Sequence, residues 1–369
     1  MKLICHRASL SAALQTVSGV VPTRTPKEIL KNTKLSVVDG VATLIGTDQE
    51  VGIRYEIPGV ESDTPGEVLL PASRLLSILR EVTSENVDFD INDSTIRIIA
   101  GTSEFKLSAE DPTEFPPVSG FDPNEAFLTV PSKALREQIR RTVFATDVES
   151  TRYALGGILL ETEADRLNLA ATDSRRLAVC GVSASGSCAD AAASPVVPSK
   201  AMQLIERSIS DDSQEVALAI RGNDVVVRSG RSTIYSRLVD GRFPKYADVI
   251  PQQSNVVIDF VVGPLYSAIR QAQIVTNEES RGVDFHFENG NLMLKSVAAD
   301  VGESTIELPI SYDYEPLRIT FDPRYVADFL KILGAETNVK LHLIDGESAA
   351  VFRTDDGYVY VIMPLAREQ

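Results

Sequence analysis

An internal repeat limits what this chain can fold into. Its 369 residues contain three segments in which a proline precedes a helical pattern of apolar residues, at Pro71, Pro198 and Pro323. These prolines are 127 and 125 residues apart, and proline is well suited to the first turn of a helix. A polar turn and alternating apolar strands follow each helix, which is typical of hairpins. The sequence therefore predicts three domains with the same order of elements.

Each domain also repeats within itself. The segments "HRASLSAALQTV", "TVPSKALREQIRRTV" and "VVGPLYSAIRQAQIV" open the three domains with a helical pattern that resembles the one after each proline. Each domain is therefore expected to hold two copies of a helix with strands, which gives six helices in an α+β fold. Turn-rich segments at residues 122–124 and 251–254 place the predicted domains at residues 1–123, 124–252 and 253–369.

The phrase "TDSRRL" has a counterpart one repeat earlier. Thr47 and Asp48 of "IGTDQEVGIR" precede Thr172 and Asp173 of "AATDSRRLAVC" by 125 residues. Two arginines beside an aspartate could be a catalytic pair, a phosphate clamp or a solvated turn. Because the phrase recurs at the domain period, it predicts first of all a turn that joins two strands. In the third domain the phrase is degenerate, within "KSVAADVGESTIELPI".

Composition argues against several classes of protein. The chain is 43% hydrophobic, which suffices for ordinary cores, yet it has no run of about 18 apolar residues that would predict a membrane helix. Its first residues do not resemble a signal peptide. The three cysteines Cys5, Cys180 and Cys188 lack the spacing of a disulfide framework, which favours buried thiols in a reduced protein. We therefore expect a cytoplasmic protein that does not contact a membrane.

The charges are unevenly distributed along the sequence. A formal net charge of −16, taken alone, argues against nucleic-acid binding. The predicted helices nevertheless carry more basic than acidic side chains, and residues 132–142 include Lys133, Arg136 and Arg140. On a single helix, a solvated surface explains such charges. Their recurrence on six equivalent helices favours contacts to DNA phosphates. Such contacts gain free energy from counterion release and carry little sequence information.

No motif for catalysis or nucleotide binding is present. The three histidines are scattered, and HExxH, GxxxxGK[ST], GxGxxG and GxSxG are all missing from the sequence. We therefore predict no catalytic residue, no metal site and no cofactor. A hydrolase with an unrecognised site is the remaining enzymatic alternative, and no carboxylate stands out as its candidate.

Four phrases, taken in order, resemble the bacterial sliding clamp, the beta subunit of DNA polymerase III. They are "RYALGGILLE" with "LAATDSRRLAVC", "SGRSTIYSRLVDGRFPKY", "FDPRYVADFL" and "YVYVIMPL", and the resemblance covers essentially the whole chain. It implies that each domain has two helices backed by antiparallel sheets. It also implies that two subunits join head to tail into a ring around duplex DNA. Such a protein is a non-catalytic processivity factor for the replicative polymerase.

The resemblance also implies three sets of site residues. A pocket for short peptides of partner proteins would be formed by Leu155, Thr172, Ser174, Arg175, Arg176, Leu177, Pro244, Val249, Tyr325, Val361, Met363, Pro364 and Leu365. The ring interface would use Phe105, Leu107, Ile274 and Val275. DNA would be contacted by Arg24, Arg74, Tyr153 and Lys200, in addition to Lys133, Arg136 and Arg140.

The implied partners are duplex DNA, a second copy of the chain, the polymerase alpha subunit, the clamp loader, translesion polymerases, mismatch-repair proteins and ligase. Many clamps have Gly-His where this chain has Ser174 and Arg175, so the groove is expected to be narrower or to favour acidic peptides. Glu149 stands at a loop position that is often uncharged in relatives. A monomeric scaffold that binds peptides but not DNA is the alternative function, and it predicts the mass of one chain in solution.

Overall fold

Six α-helices occupy the positions that the repeat predicts. The computed structural model describes residues 1–92, 94–147, 149–150, 154–163, 165–187, 194–209 and 215–366. Within them the helices are α1 (Arg7–Val17), α2 (Ala72–Glu81), α3 (Ser132–Val143), α4 (Ser199–Ser208), α5 (Val262–Ala272) and α6 (Pro323–Lys331). Helix α2 begins directly after Pro71, α4 directly after Pro198, and α6 at Pro323. The predicted helix starts are therefore confirmed.

Antiparallel strands make up most of the remaining secondary structure. In chain order they are β1 (Lys2–His6), β2 (Asn32–Val38), β3 (Val41–Thr47), β4 (Val51–Ile57), β5 (Val60–Ser62), β6 (Gly66–Pro71), β7 (Asn86–Ile91), β8 (Thr95–Ala100), β9 (Ser103–Ser108), β10 (Leu128–Pro131), β11 (Gly157–Glu163), β12 (Arg166–Thr172), β13 (Arg176–Ser183), β14 (Ser185–Gly186), β15 (Val196–Pro198), β16 (Glu215–Ile220), β17 (Asp224–Ser229), β18 (Ser232–Arg237), β19 (Val256–Val261), β20 (Val283–Glu288), β21 (Asn291–Ala298), β22 (Gly302–Pro309), β23 (Leu317–Phe321), β24 (Asn338–Leu343), β25 (Ala350–Arg353) and β26 (Val359–Ile362). The predicted hairpins form β7–β8–β9, β16–β17–β18 and β24–β25–β26, each with antiparallel pairing.

The chain divides into two compact units. Unit 1 comprises Met1–Arg136 and Ser183–Val239, and unit 2 comprises Glu137–Val182 and Asp240–Gln369. Each unit joins sequence from two of the predicted domains, so the predicted boundaries after residues 123 and 252 remain predictions. No helix in the described ranges is both long enough and apolar enough to cross a membrane.

Unit 1 contains two antiparallel sheets, ordered β5-β1-β7-β8-β9 and β14-β10-β16-β17-β18-β4-β3-β2-β6. Strand β4 of the first repeat pairs with β18 of the second, with Ile53 opposite Ile234. Helices α1 and α2 contact each other and bury leucines such as Leu14 and Leu75. The longer sheet is therefore continuous across two repeats of the sequence.

A glycine lets the chain fold back onto the β4–β18 pair. Gly52 is buried on β4 opposite Tyr235, and a Cβ atom at this position would lie 2.6 Å from Cγ1 of Val118. Val118 belongs to a buried cluster with Phe115, and its carbonyl oxygen accepts a hydrogen bond of 3.3 Å from Arg54. The segment after Phe115 therefore covers this strand pair.

Unit 2 repeats the same plan. Seven of its strands are hydrogen-bonded in the order β11-β12-β13-β26-β25-β24-β19, and four more in the order β22-β21-β20-β23. Strand β13 pairs with β26, with Leu177 opposite Val361. One repeat earlier, Gly52 lies opposite Tyr235 in the equivalent pair, β4 with β18. Leucine thus stands in unit 2 where glycine stands in unit 1.

Aromatic side chains fix α6 to the larger sheet of unit 2. Phe329 of α6 stacks on Tyr360 of β26 with ring centroids 4.7 Å apart, and it also contacts Phe352 and Tyr358. All four side chains are at most 1% exposed. Phe144, which follows α3, lies 5.6 Å from Tyr360 and extends the cluster toward β13. This core supports the strand ends at which the predicted pocket residues lie.

We predict that Gly52→Ala lowers the free energy of unfolding by about 1–3 kcal/mol, because the new methyl group overlaps Val118. The measurement is urea denaturation followed by circular dichroism. Gly222→Ala is the matched control, since a Cβ atom there meets no atom within 4 Å, and it should change stability little. Adding Val118→Ala to Gly52→Ala should recover part of the loss. Strictly additive losses would contradict the proposed contact.

Candidate functional site

The phrase "TDSRR" forms a tight turn between β12 and β13. The Thr172 hydroxyl donates to the carbonyl oxygen of Arg176 at 2.6 Å and accepts from the Ser174 N–H at 3.1 Å. One oxygen of Asp173 accepts from the N–H groups of Arg175 and Arg176, both at 3.0 Å. The prediction of a turn that joins two strands is confirmed.

The same turn recurs in unit 1. Thr47 donates to the Val51 carbonyl oxygen at 2.9 Å, and Asp48 accepts from the N–H groups of Glu50 and Val51 at 3.0 and 2.7 Å. Gln49 and Ser174 both adopt a positive φ, of 84° and 72°. The phrase is thus a repeated fold element before it is a functional one, and its third residue carries backbone strain in both copies.

A mainly apolar cavity of about 430 Å³ opens beside the turn of unit 2. It is lined by Leu155, Thr172, Ser174, Arg175, Arg176, Leu177, Pro244, Tyr246, Val249, Val361 and Met363. Leu155, Leu177 and Val361 form buried walls, whereas Val249 and Met363 remain 55% and 46% exposed. The N–H of Met363 donates to the carbonyl oxygen of Arg175 at 2.8 Å, which fixes one side of the cavity to the turn. A concave apolar site of this size can accept an extended peptide or a small apolar ligand.

Three predicted pocket residues do not line this cavity. The ring of Tyr325 on α6 lies 4.6 Å from the guanidinium of Arg176, which does line the cavity. Pro364 and Leu365 run past it, and the N–H of Leu365 donates to the carbonyl oxygen of Thr320 at 2.9 Å. The structure therefore brings the other ten predicted pocket residues together, and their role in peptide binding remains a prediction.

Tyr246 lines the cavity although the sequence did not single it out. It begins the short 3-10 turn Tyr246–Val249, and its hydroxyl donates to the carboxylate of Glu161 on β11. Burial, followed by this hydrogen bond, raises the pKa of Tyr246 above its ordinary value. The available signal was the aromatic residue just after Phe243 and Pro244 in "GRFPKYADV".

The two adjacent arginines have opposite environments. The side chain of Arg176 is 11% exposed and donates to Asp173, Asp328 and the Phe144 carbonyl oxygen at 2.9, 2.7 and 2.8 Å. Burial by itself lowers the pKa of Arg176, but neighbouring Tyr360 and the two aspartates raise it above its ordinary value. Arg176 is therefore permanently charged, and its role in the cavity wall is structural.

Arg175 is exposed, and its side chain makes no hydrogen bond or ion pair with any described residue. Its backbone is held at both ends, through the N–H to Asp173 and through the carbonyl oxygen to Met363. No carboxylate lines the cavity next to it among the described residues. An uncompensated cation therefore lies at the rim of an apolar site.

The predicted DNA-contacting residues differ in exposure, and several of them already have interaction partners. Arg24, Arg74, Lys133 and Arg140 are exposed. Half-buried Arg136 donates to the carbonyl oxygen of Ile209 at 2.9 Å, next to the end of α4. Lys200 forms an ion pair with Asp48 of the unit 1 turn. Tyr153 lies outside the described residues, and Glu149 is exposed in a loop.

The predicted interface residues lie at sheet edges or nearby. Phe105 and Leu107 belong to β9, the edge strand of the five-stranded sheet of unit 1, and both are half-buried. Ile274 and half-buried Val275 belong to the 3-10 turn Gln273–Val275 of unit 2, and Ile274 is 74% exposed. A large apolar side chain so exposed is commonly covered by a partner.

The described cysteines are buried thiols that do not line the cavity. The described part of the chain contains no group of three His, Cys, Asp or Glu side chains placed to hold a metal ion. Cys5 and Cys180 are free and buried, and burial raises the pKa of Cys5 to about 12. Cys188 lies outside the described residues.

Three domains of one protein family match this chain in order. The N-terminal domain of the DNA polymerase III beta subunit matches residues 1–119, the central domain 129–245 and the C-terminal domain 247–366. The chain belongs to the DNA polymerase III beta subunit family. The resemblance seen in the sequence is thereby confirmed, together with the fold of three domains built from helices and antiparallel sheets.

Relatives of this beta subunit match it over their full length. The beta sliding clamps of Pseudomonas aeruginosa and Escherichia coli K12 are each 30% identical over 368 residues, 99% of this chain and 100% of theirs. The crystal structure of the Pseudomonas aeruginosa beta subunit matches with a TM-score of 0.91 and covers 100% of both chains at 30% identity. A sliding clamp from Bartonella birtlesii, solved with bound griselimycin, covers 100% of both chains with a TM-score of 0.92 at 26% identity.

We predict that Ser174→Gly raises the free energy of unfolding of this beta subunit by roughly 0.5–1 kcal/mol, because glycine adopts a positive φ without strain. Urea denaturation measures the change, and Gln49→Gly should act in the same direction. Ser183→Gly, at an exposed strand end without a positive φ, should instead lower stability slightly. A loss of stability in Ser174→Gly would refute strain at this turn.

Proposed function

We propose that this beta subunit is a processivity clamp, a head-to-tail homodimer that encircles duplex DNA, slides along it and tethers the replicative polymerase. The observation that carries the proposal is the match to beta sliding clamps along 99% of the chain at 30% identity. The family is non-catalytic, and such a clamp holds DNA topologically. Action on chromosomal DNA implies a cytoplasmic location.

Two edge strands support head-to-tail association. Strand β9 ends the five-stranded sheet of unit 1, and β22 ends the four-stranded sheet of unit 2. Edge strands expose backbone N–H and C=O groups that a strand of another chain can satisfy. We propose that β9 of one subunit pairs with β22 of the other, and two such contacts close the ring.

Apolar side chains support the same pairing. Phe105 and Leu107 on β9, and Ile306 and Leu308 on β22, are half-buried at the edges and lie beside buried residues of the neighbouring strands. Pairing of the two edge strands would bury these apolar side chains of both strands and merge the two sheets into one. The turn that carries Ile274 contacts β22, so this isoleucine would be covered as well.

The ring makes a topological prediction. After loading onto nicked circular duplex DNA by a clamp loader, the protein should co-elute with the DNA in gel filtration. Cutting the circle with a restriction enzyme should release it, because a sliding ring leaves a free end. Retention on the linear product would argue that the protein grips DNA directly.

The control for this experiment is Ile274→Asp, which places an unpaired charge in the proposed contact. Light scattering across a dilution series should give twice the 40.1 kDa of one chain for the wild type and one chain for the variant. Val38→Asp, at an exposed hairpin position of unit 1, should stay dimeric. A dimeric Ile274→Asp would reject this interface, and a monomeric wild type would favour the peptide-binding scaffold.

The exposed cations fit phosphate contacts inside such a ring. Arg24, Arg74, Lys133 and Arg140 would attract the DNA backbone without reading bases, and the net charge of −16 would limit binding elsewhere on the surface. Arg136, Arg140 and Lys200 would contribute less, because each already has an interaction partner.

We propose that the cavity of unit 2 receives short linear peptides of partner proteins. Its apolar walls suit leucine or aromatic anchors, and flexible Met363 can adapt to several of them. The proposed partners are the polymerase alpha subunit, the clamp loader, translesion polymerases, mismatch-repair proteins and ligase. Nucleotide chemistry would belong to the loader and not to this chain.

We predict that Met363→Asp weakens peptide binding at least about tenfold, because a carboxylate in an apolar wall must be desolvated when the anchor enters. Fluorescence anisotropy with a labelled polymerase peptide measures the affinity, and light scattering should still report a dimer. Val38→Asp again serves as the matched control and should bind normally. Unchanged binding in Met363→Asp would place the peptide elsewhere.

A further inference from the structure

We infer that Arg175 selects peptides that carry an aspartate or glutamate side chain next to the apolar anchor. The inference rests on the proposed peptide site and specifies which segments it prefers. Arg175 lines the cavity, is exposed, and has no side-chain partner among the described residues. A guanidinium binds a carboxylate through two parallel hydrogen bonds, which gives direction as well as charge.

Neighbouring acids do not neutralise this arginine. The closest carboxylate along the chain, Asp173, accepts from two backbone N–H groups with one oxygen and from Arg176 with the other. Asp328 is likewise engaged by Arg176. The acidic groups around the turn are therefore satisfied by one arginine, and the other is left to face the ligand.

The backbone of Arg175 presents its side chain in a defined place. Its N–H donates to Asp173 at 3.0 Å, and its carbonyl oxygen accepts from Met363 at 2.8 Å. The positive φ of Ser174 sets the direction of the chain just before it. Because the backbone of Arg175 is fixed on both sides, less conformational entropy is lost when its guanidinium binds a carboxylate.

The geometry favours an internal acidic side chain over the carboxylate at a peptide's C-terminus. Terminal carboxylates are usually captured by a cluster of free backbone N–H groups. In this turn the N–H groups of Ser174, Arg175 and Arg176 already donate to Thr172 and Asp173. Among the described charged groups of this turn, the guanidinium of Arg175 is the one without a partner, and its exposed position suits a side chain that stays partly in water.

The test uses three acetylated and amidated hexapeptides that share a two-leucine anchor and differ in the preceding residue. The aspartate peptide should bind the wild-type dimer about three times more tightly than the asparagine peptide, as expected for an exposed ion pair, and the lysine peptide should bind more weakly than either. High salt should reduce these ratios by screening. An asparagine peptide with a free C-terminus should gain no comparable affinity.

In Arg175→Gln the aspartate-to-asparagine ratio should fall to about one, and Arg175→Lys should retain part of it. Lys340→Gln removes a cation of unit 2 outside the cavity and should keep the wild-type ratio. Equal wild-type affinities for all three peptides would overturn the selectivity but leave the peptide site intact. If no peptide bound, and Met363→Asp had no effect on polymerase peptides, the peptide site itself would be rejected.

Discussion

Antiparallel pairing between strands of successive repeats holds each compact unit together and creates the candidate site of unit 2. In unit 2, β13 lies beside β26 with Leu177 opposite Val361, although 184 residues separate them in sequence. This pairing sets the turn that precedes β13 next to the chain that leaves β26, and the Met363 N–H then reaches the carbonyl oxygen of Arg175. The turn before β13 supplies one wall of the cavity, and the chain after β26 supplies another. Its shape therefore depends on strand register as much as on the residues that line it.

The turn illustrates how identical side chains acquire different roles. Arg176 is drawn into the interior because Asp173, Asp328 and a carbonyl oxygen satisfy its guanidinium, and because aromatic rings lie against it at 4.6 and 5.3 Å. A buried guanidinium without these partners would be costly. Arg175 points to water, where no such requirement applies. Arg176 thus supplies a fixed structural charge, whereas the adjacent Arg175 supplies a charge that a ligand can reach.

Periodicity predicted the architecture, but tertiary contacts decided the details of the site. Helix starts at Pro71 and Pro198 and the turn at Thr172 followed from repeated local patterns, whereas the set of cavity residues came from family resemblance. Tyr246 was missed because its place depends on Glu161, which is 85 residues away. The backbone N–H of Leu365 donates to Thr320 of β23, a contact that the sequence did not predict, and the assignment of Leu365 to the pocket stays a prediction. Net charge was similarly uninformative, since a sum does not locate the exposed cations.

The cavity beside the β13–β26 pair has a consequence for valency. The two strand pairs are equivalent by the repeat, yet at one of them the chain supplies its own occupant, Val118, against Gly52. At the other, Leu177 stands in place of that glycine, Tyr246 packs against the Leu177 cluster, and the cavity lies beside it. Peptides that use this one cavity, as proposed, would take turns on a given chain, and exchange between partners would become a competition in time and concentration.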